Sequence, residues 1–211
     1  MMKFTNIQID SLRLAVGKRL SPKRFIHTLG VEKTAALIGE KIMPEDVNEL
    51  RAAALLHDIS KEYSAAEHFD LIKRQKLSFT DEDEKIPALW HSITAPSVVS
   101  SDFPEFATKD IMSAVYNHTV GTPKMSVFDE IILLSDYIDE GRTYKGCIAL
   151  RESFLDELSN SNNQDEALVA LHKAVATSLK NTINSLEFRG DFCHSRTKAT
   201  YASVVAKIRG K

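Results

Sequence analysis

The 211 residues are 43% hydrophobic and 27% charged, enough apolar material for one sizeable core, alone or with a small appendage. A formal net charge of -2 excludes the overall basic character that draws a protein to nucleic acid or an anionic membrane, so a small anionic ligand would need locally placed cations. No apolar run approaches the roughly 18 residues of a membrane span. The start, Met1-Met2-Lys3-Phe4-Thr5-Asn6, has no apolar secretory segment. Cys147 and Cys193 stand far apart and lack a C-x-x-C partner, which favours a reducing, cytoplasmic setting over a disulfide framework.

Helical periodicity runs through the chain and strand-type alternation is absent, so the expected fold is all-α. Glycine and proline are scarce and fall mostly at helix ends. A short helix is expected over 9–20. Ser21-Pro22 then reads as N-cap and N1 of a helix carrying Phe25, Ile26, Leu29, Ala36 and Leu37 to residue 42. Pro44-Glu45-Asp46 opens the next, with acidic residues in its first turn and an expected end at Lys61. Ser64 caps a helix over 65–76. The acidic run Thr80 to Glu84 reads as a solvated helix start, not a metal site, ahead of a helix over 86–99. Thr108 caps 111–118, Ser126 opens the very apolar 127–139, and a further helix covers 148–158. Ser159-Asn160-Ser161-Asn162-Asn163 is the clearest linker. Helices over 164–186 and 197–208 complete the chain.

The chemistry gathers at Leu55-Leu56-His57-Asp58-Ile59-Ser60-Lys61. An imidazole and a carboxylate at the end of an apolar run cost desolvation unless something pairs with them, and both are first-row metal ligands. Further candidates lie on other helices: His27, His91, His118, and Asp136 within Ile131-Ile132-Leu133-Leu134-Ser135-Asp136-Tyr137-Ile138. A carboxylate amid so many apolar residues is rarely buried unpaired. Ligands supplied one or two per helix suit a metal at the centre of a bundle. Taken singly, each has an ordinary explanation: a satisfied histidine, a carboxylate paired with a buried arginine, a helix cap. His68 and His172 are read that way.

The order His27, His57-Asp58, Asp136 resembles the H…HD…D set of the HD-domain phosphohydrolases. Arg24-Phe25-Ile26-His27-Thr28-Leu29-Gly30-Val31, the His57-Asp58 stretch, Asn117-His118-Thr119, Met125-Ser126 and Ser135-Asp136-Tyr137-Ile138-Asp139-Glu140-Gly141-Arg142 are similar to one subfamily. That subfamily is YqeK, the bacterial symmetrical diadenosine tetraphosphate hydrolases. The resemblance covers residues 24–151, and extends more weakly to His194-Ser195-Arg196-Thr197. Asp139-Glu140 stands where the family usually has Glu-Pro, Ser135 replaces a common alanine, and Ser195 occupies a usual proline position. These departures leave the metal set intact and bear on nucleobase contacts.

The resemblance implies an HD-domain helical bundle, with a hydrolase core over 1–158 and a C-terminal helical extension over 159–211 packed on it. It implies that His27, His57, Asp58 and Asp136 bind a divalent metal, iron in relatives, and that a metal-activated water cleaves diadenosine tetraphosphate to two ADP. A His/Asp set without thiolate independently suits Fe, Mn, Co or Ni better than structural zinc. His91 and His118 join Asp58 and Lys61 in the catalytic group, holding a second ion with Asp58 as bridge or donating to phosphate. Lys61 and Arg142 are the expected phosphate cations, and Arg24 pairs with a carboxylate or joins them. Gly30 reads either as helix packing or as space for ligand. Glu62, Tyr63, Ser64, Phe192 and His194 are expected to line the nucleoside pocket. The expected partner is a small dinucleoside polyphosphate; membrane and nucleic acid are not expected, and a homodimer stays open. Two other readings use the same residues: an HD phosphohydrolase acting on a nucleoside monophosphate, cyclic dinucleotide or guanosine polyphosphate, and a helical RNA-binding or regulatory module with a basic tail of Arg189, Arg196, Lys198, Lys207, Arg209 and Lys211.

Overall fold

The computed structural model describes residues 4–210, so Met1 to Lys3 of the start and Lys211 of the basic tail lie outside the described residues. Among the described residues the chain forms α1 (Asn6–Gly17), α2 (Pro22–Ile42), α3 (Val47–Leu56), α4 (Ala65–Gln75), α5 (Asp81–Glu84), α6 (Trp90–Asp102), α7 (Lys109–Asn117), α8 (Val127–Tyr137), α9 (Lys145–Asn160), α10 (Gln164–Arg189) and α11 (Ser195–Arg209), with no strand. The fold is all-α, as the periodicity requires.

Helix starts are written locally. Ser21 accepts from Arg24 N–H with Pro22 at N1, and Thr108 accepts from Ile111 N–H. Ser64 with Glu67, Thr80 with Asp83 and Ser126 with Asp129 form reciprocal capping boxes. A fourth box, Thr5 with Gln8, opens α1 three residues before the expected start.

Other helix boundaries depend on contacts beyond the local sequence, and there three expectations are corrected. The helix of residues 44–61 is a 3-10 turn, Pro44–Asp46, followed by α3, which stops at Leu56. Residues 57–62 are turns, where Ser60 Oγ donates to the His91 carbonyl at 3.0 Å. The helix expected from residue 86 starts at Trp90, because Pro87–Leu89 form another 3-10 turn and Trp90 Nε1 donates to the Asp83 carbonyl at 2.8 Å. The linker is shorter than expected: α9 runs through Asn160, and Asn163 already caps α10.

The core joins Ile9, Leu12 and Val16 of α1, Val31, Ala35 and Ile38 of α2, and Leu50 with the fully buried Ala52 to Leu56 stretch of α3, where three consecutive alanines allow close packing. Ile111 and Val115 of α7, Ile131, Ile132 and Leu134 of α8, and Leu171 and Val175 of α10 close it. Burying such aliphatic side chains contributes roughly 1.5–3 kcal/mol each. The C-terminal helices are tied to this core by polar contacts as well. Buried Glu130 of α8 holds His172 Nδ1 of α10 and Lys207 Nζ of α11, both at 2.6 Å. His68 meets Thr94 Oγ1 at 2.9 Å, so His68 and His172 are satisfied core histidines.

Candidate metal centre and active site

Five segments bring their polar residues to one place. His27 lies one turn into α2; His57 and Asp58 follow α3; His91 is the second residue of α6; His118 follows α7; Asp136 is next to last in α8. Two overlapping sets share His57: His27, His57 and Asp136, and His57, Asp58 and His118, each with ligand atoms within 4.8 Å of one another. The apolar helices deliver these groups at their ends, where the backbone turns away and the side chains meet.

Backbone carbonyls orient two of the rings. His57 Nδ1–H donates to the Ala54 carbonyl at 2.6 Å and His118 Nδ1–H to the Val115 carbonyl at 2.7 Å, which directs both Nε2 lone pairs into the cluster. A carboxylate orients the third: His27 Nδ1–H donates to Asp139 Oδ2 at 3.0 Å. Its Nε2 then lies 3.0 Å from Asp136 Oδ1 without a hydrogen bond, and the buried Nε2 of His57 has no partner either. A nitrogen lone pair facing a carboxylate oxygen at that distance is unfavourable unless a cation or proton lies between them. The donor set and these orphaned nitrogens fit a divalent ion.

Asp58 divides its two oxygens. Oδ1 faces His91 Nε2 at 3.2 Å and His118 Nε2 at 3.7 Å, while Oδ2 faces His57 and accepts from Arg24 Nη1 at 2.8 Å. Burial alone would raise its pKa, but the surrounding histidines hold it well below the usual carboxylate range. Asp136 is likewise held low against burial by His27 and Arg142, whose Nη2 donates to its Oδ1 at 2.5 Å. Burial lowers the His27 pKa, yet Asp136 and Asp139 outweigh it and push it up to about 9. His91, deeply buried and beside His118, is pushed down to about 3.

Lys61 lies in the turn after α3, with Nζ 3.1 Å from His91 Nδ1, and burial lowers its pKa. Lys61, Tyr63 and His91 border a small pocket of about 170 Å³. A larger cleft of about 970 Å³ is bordered by Arg24, His27 and Arg142.

Other expected contacts go elsewhere. Glu62 accepts from Ser21 N–H at 2.7 Å and Ser64 caps α4, so both serve helix starts. His194 is buried against the acidic turn: Arg196 N–H donates to its Nδ1, and its Nε2 lies 3.2 Å from Asp83 Oδ1. Phe192 is half exposed beneath Lys85 Nζ. The tail thus sits on α5, and the acidic run expected to be solvated has Asp83 buried in that contact. Gly30 gives no room to a ligand; a Cβ there would meet Asp139 Oδ1 at 1.8 Å. In the sequence Asp139 stands out only as a departure from Glu-Pro, and its nearness to Asp136 is the signal that marks it.

The HD domain family model matches residues 24–141, a span holding every member of the cluster. A symmetrical bis(5'-nucleosyl)-tetraphosphatase of Halalkalibacterium halodurans is 31% identical over 88% of this chain and 91% of its own length. The chain belongs to the HD-domain hydrolases, in the symmetrical bis(5'-nucleosyl)-tetraphosphatase family. It is an enzyme of that family, as the YqeK resemblance implied. The Bacillus subtilis member is 29% identical over 90% of this chain and 94% of its own. The crystal structure of a Clostridium acetobutylicum protein, described as a predicted HD superfamily hydrolase involved in NAD metabolism, superposes with a TM-score of 0.79 at 28% identity, covering 94% of this chain and 97% of that one. No helix among the described residues is long and apolar enough to cross a membrane.

Proposed function

We propose that this hydrolase cleaves diadenosine tetraphosphate at its central anhydride, adding one water to give two ADP. The observation that carries the reading is the convergence of His27, His57, Asp58 and Asp136 from three segments, with two buried imidazole nitrogens left without partners. Those four residues would hold the metal, iron in our reading, with Mn, Co or Ni as alternatives. When bound, such an ion polarises a phosphoryl oxygen and lowers the pKa of a coordinated water.

The chain's own groups do the remaining work. Arg24 and Arg142 pin the Asp58 and Asp136 carboxylates while keeping guanidinium N–H groups for phosphate oxygens. Lys61 adds a cation beside His91. His91 and His118 face Asp58 Oδ1, where with Asp58 they would hold a second ion or donate to a phosphate. The low dielectric around these buried rings strengthens each contact with a polyphosphate. The core of 1–158 supplies this machinery, and the extension of 159–211 braces it.

The description of the Clostridium neighbour motivates a second reading, a pyrophosphate-bridged dinucleotide such as NAD. The RNA-binding alternative loses ground, because Arg189 pairs with Asp191, Lys198 with Glu187 and Lys207 with Glu130, and Arg196 donates to the Gly121 carbonyl. Asp58→Asn tests the metal reading: hydrolysis of diadenosine tetraphosphate should fall at least about a hundredfold with the helical circular dichroism unchanged. Retained activity in that variant contradicts the reading.

A further inference from the structure

The cleft beside His27 has features that metal ligation and phosphate binding leave unexplained. One face of α2 carries Lys23, Ile26, His27, Gly30 and Lys33 at helical spacing. Ile26, immediately before a metal-site histidine, is 70% exposed, although a large aliphatic side chain on a 21-residue helix has a core available. Across the cleft, the loop between α8 and α9 brings Tyr144, 46% exposed, to the same space. Its ring is braced at 85° against Tyr137, centroids 5.9 Å apart, which fixes the ring while leaving much of it open. Leu29 adds to the apolar wall, and on the cluster side Arg24 and Arg142 line the cleft while bonding the Asp58 and Asp136 carboxylates.

The order from the cluster outward is therefore cationic and then apolar-aromatic. A nucleotide has the same order, phosphates and then a flat base. The cleft volume of about 970 Å³ suits such a ligand, whereas the pocket of about 170 Å³ beyond Lys61 and His91 is too small for a nucleoside. Resting on the proposed cleavage of a dinucleoside polyphosphate, we propose that this cleft binds one nucleoside of the substrate, with Tyr144 as the stacking surface and Ile26 and Leu29 as the apolar wall. The base is held by area and stacking, which every base offers, with purines favoured by their larger face. The cleft is next to the residues that depart from the family's Glu-Pro, Asp139 and Glu140, where nucleobase contacts were expected to differ.

Calorimetric titration of the metal-loaded enzyme with ADP and, separately, with pyrophosphate isolates the nucleoside contribution. Wild type should bind ADP on the order of tenfold or more tightly than pyrophosphate. Tyr144→Ala and Ile26→Ser should each shrink that ratio severalfold while moving pyrophosphate affinity less than about twofold, and Tyr144→Phe should keep the ratio. Equal affinities in wild type, or a ratio that survives both substitutions, overturn the proposal. The hydrolase reading is scored separately by ADP release from diadenosine tetraphosphate: if wild type releases none, that reading falls, while the binding ratio still decides whether a nucleoside occupies the cleft.

Discussion

Gly30 sits one turn after His27, and the space its missing side chain leaves is filled by the Asp139 carboxylate that orients the His27 ring. A carboxylate donating orientation to a ligand imidazole typically changes metal affinity by 10–100-fold. Gly30→Ala should therefore lower metal affinity by about that factor, since the new Cβ must displace Asp139, while the helix itself gains propensity. Metal titration with circular dichroism checks this; unaltered affinity would mean that Asp139 is dispensable. The cluster's residues were legible in the sequence because polar residues inside apolar helices stand out. Asp139 was not, because an aspartate after a helix end looks like any exposed loop acid until α2 is packed against it. His194 misled for the converse reason: a histidine near a family tail motif gave no hint that its partner would be Asp83, 111 residues earlier.

At the scale of elements, capping chemistry reads directly from sequence, and Ser21, Ser64, Thr108 and Ser126 open the helices they were expected to open. Helix ends were less legible. The stop of α3 at Leu56 depends on His57 bonding back to Ala54 and Ser60 reaching His91, contacts that exist only in the folded chain. The α8–α9 loop is similar. It carries Asp139, Arg142 and Tyr144, and it is held by Arg151 of α9, whose Nε donates to the Ile138 carbonyl at 2.6 Å and whose Nη2 reaches the Asp139 and Arg142 carbonyls at 2.7 Å. Arg151→Met would strip these carbonyls of their donor, at a cost of about 2 kcal/mol. The expected result is a lowered unfolding temperature together with weaker metal binding. A drop in stability with unchanged metal affinity would show that the loop keeps its geometry without the clamp.

For the whole molecule, the cluster is a set of buried charges that the core must tolerate. His27 bears on this through its pKa of about 9. Because the folded value lies above the unfolded value of about 6.5, its contribution to metal-free stability is complete below about pH 6.5 and is lost as pH rises through about 9. Metal binding displaces that proton, so metal affinity should strengthen up to about tenfold per pH unit across the same window. Unfolding temperatures of chelator-treated and metal-loaded protein should diverge between pH 6.5 and 9, and a constant gap would contradict this assignment. The fold class was visible in the helical period, and the His/Asp cluster in the order of its residues, but the cleft proposed to receive a nucleoside is made by packing α2 against the α8–α9 loop. The most direct test is metal analysis of anaerobically purified protein followed by product analysis from diadenosine tetraphosphate. The expected result is one or two bound ions, ADP as the sole product, loss of activity with a chelator and recovery with ferrous iron. Formation of ATP with AMP, or full turnover by protein free of metal, would contradict the account.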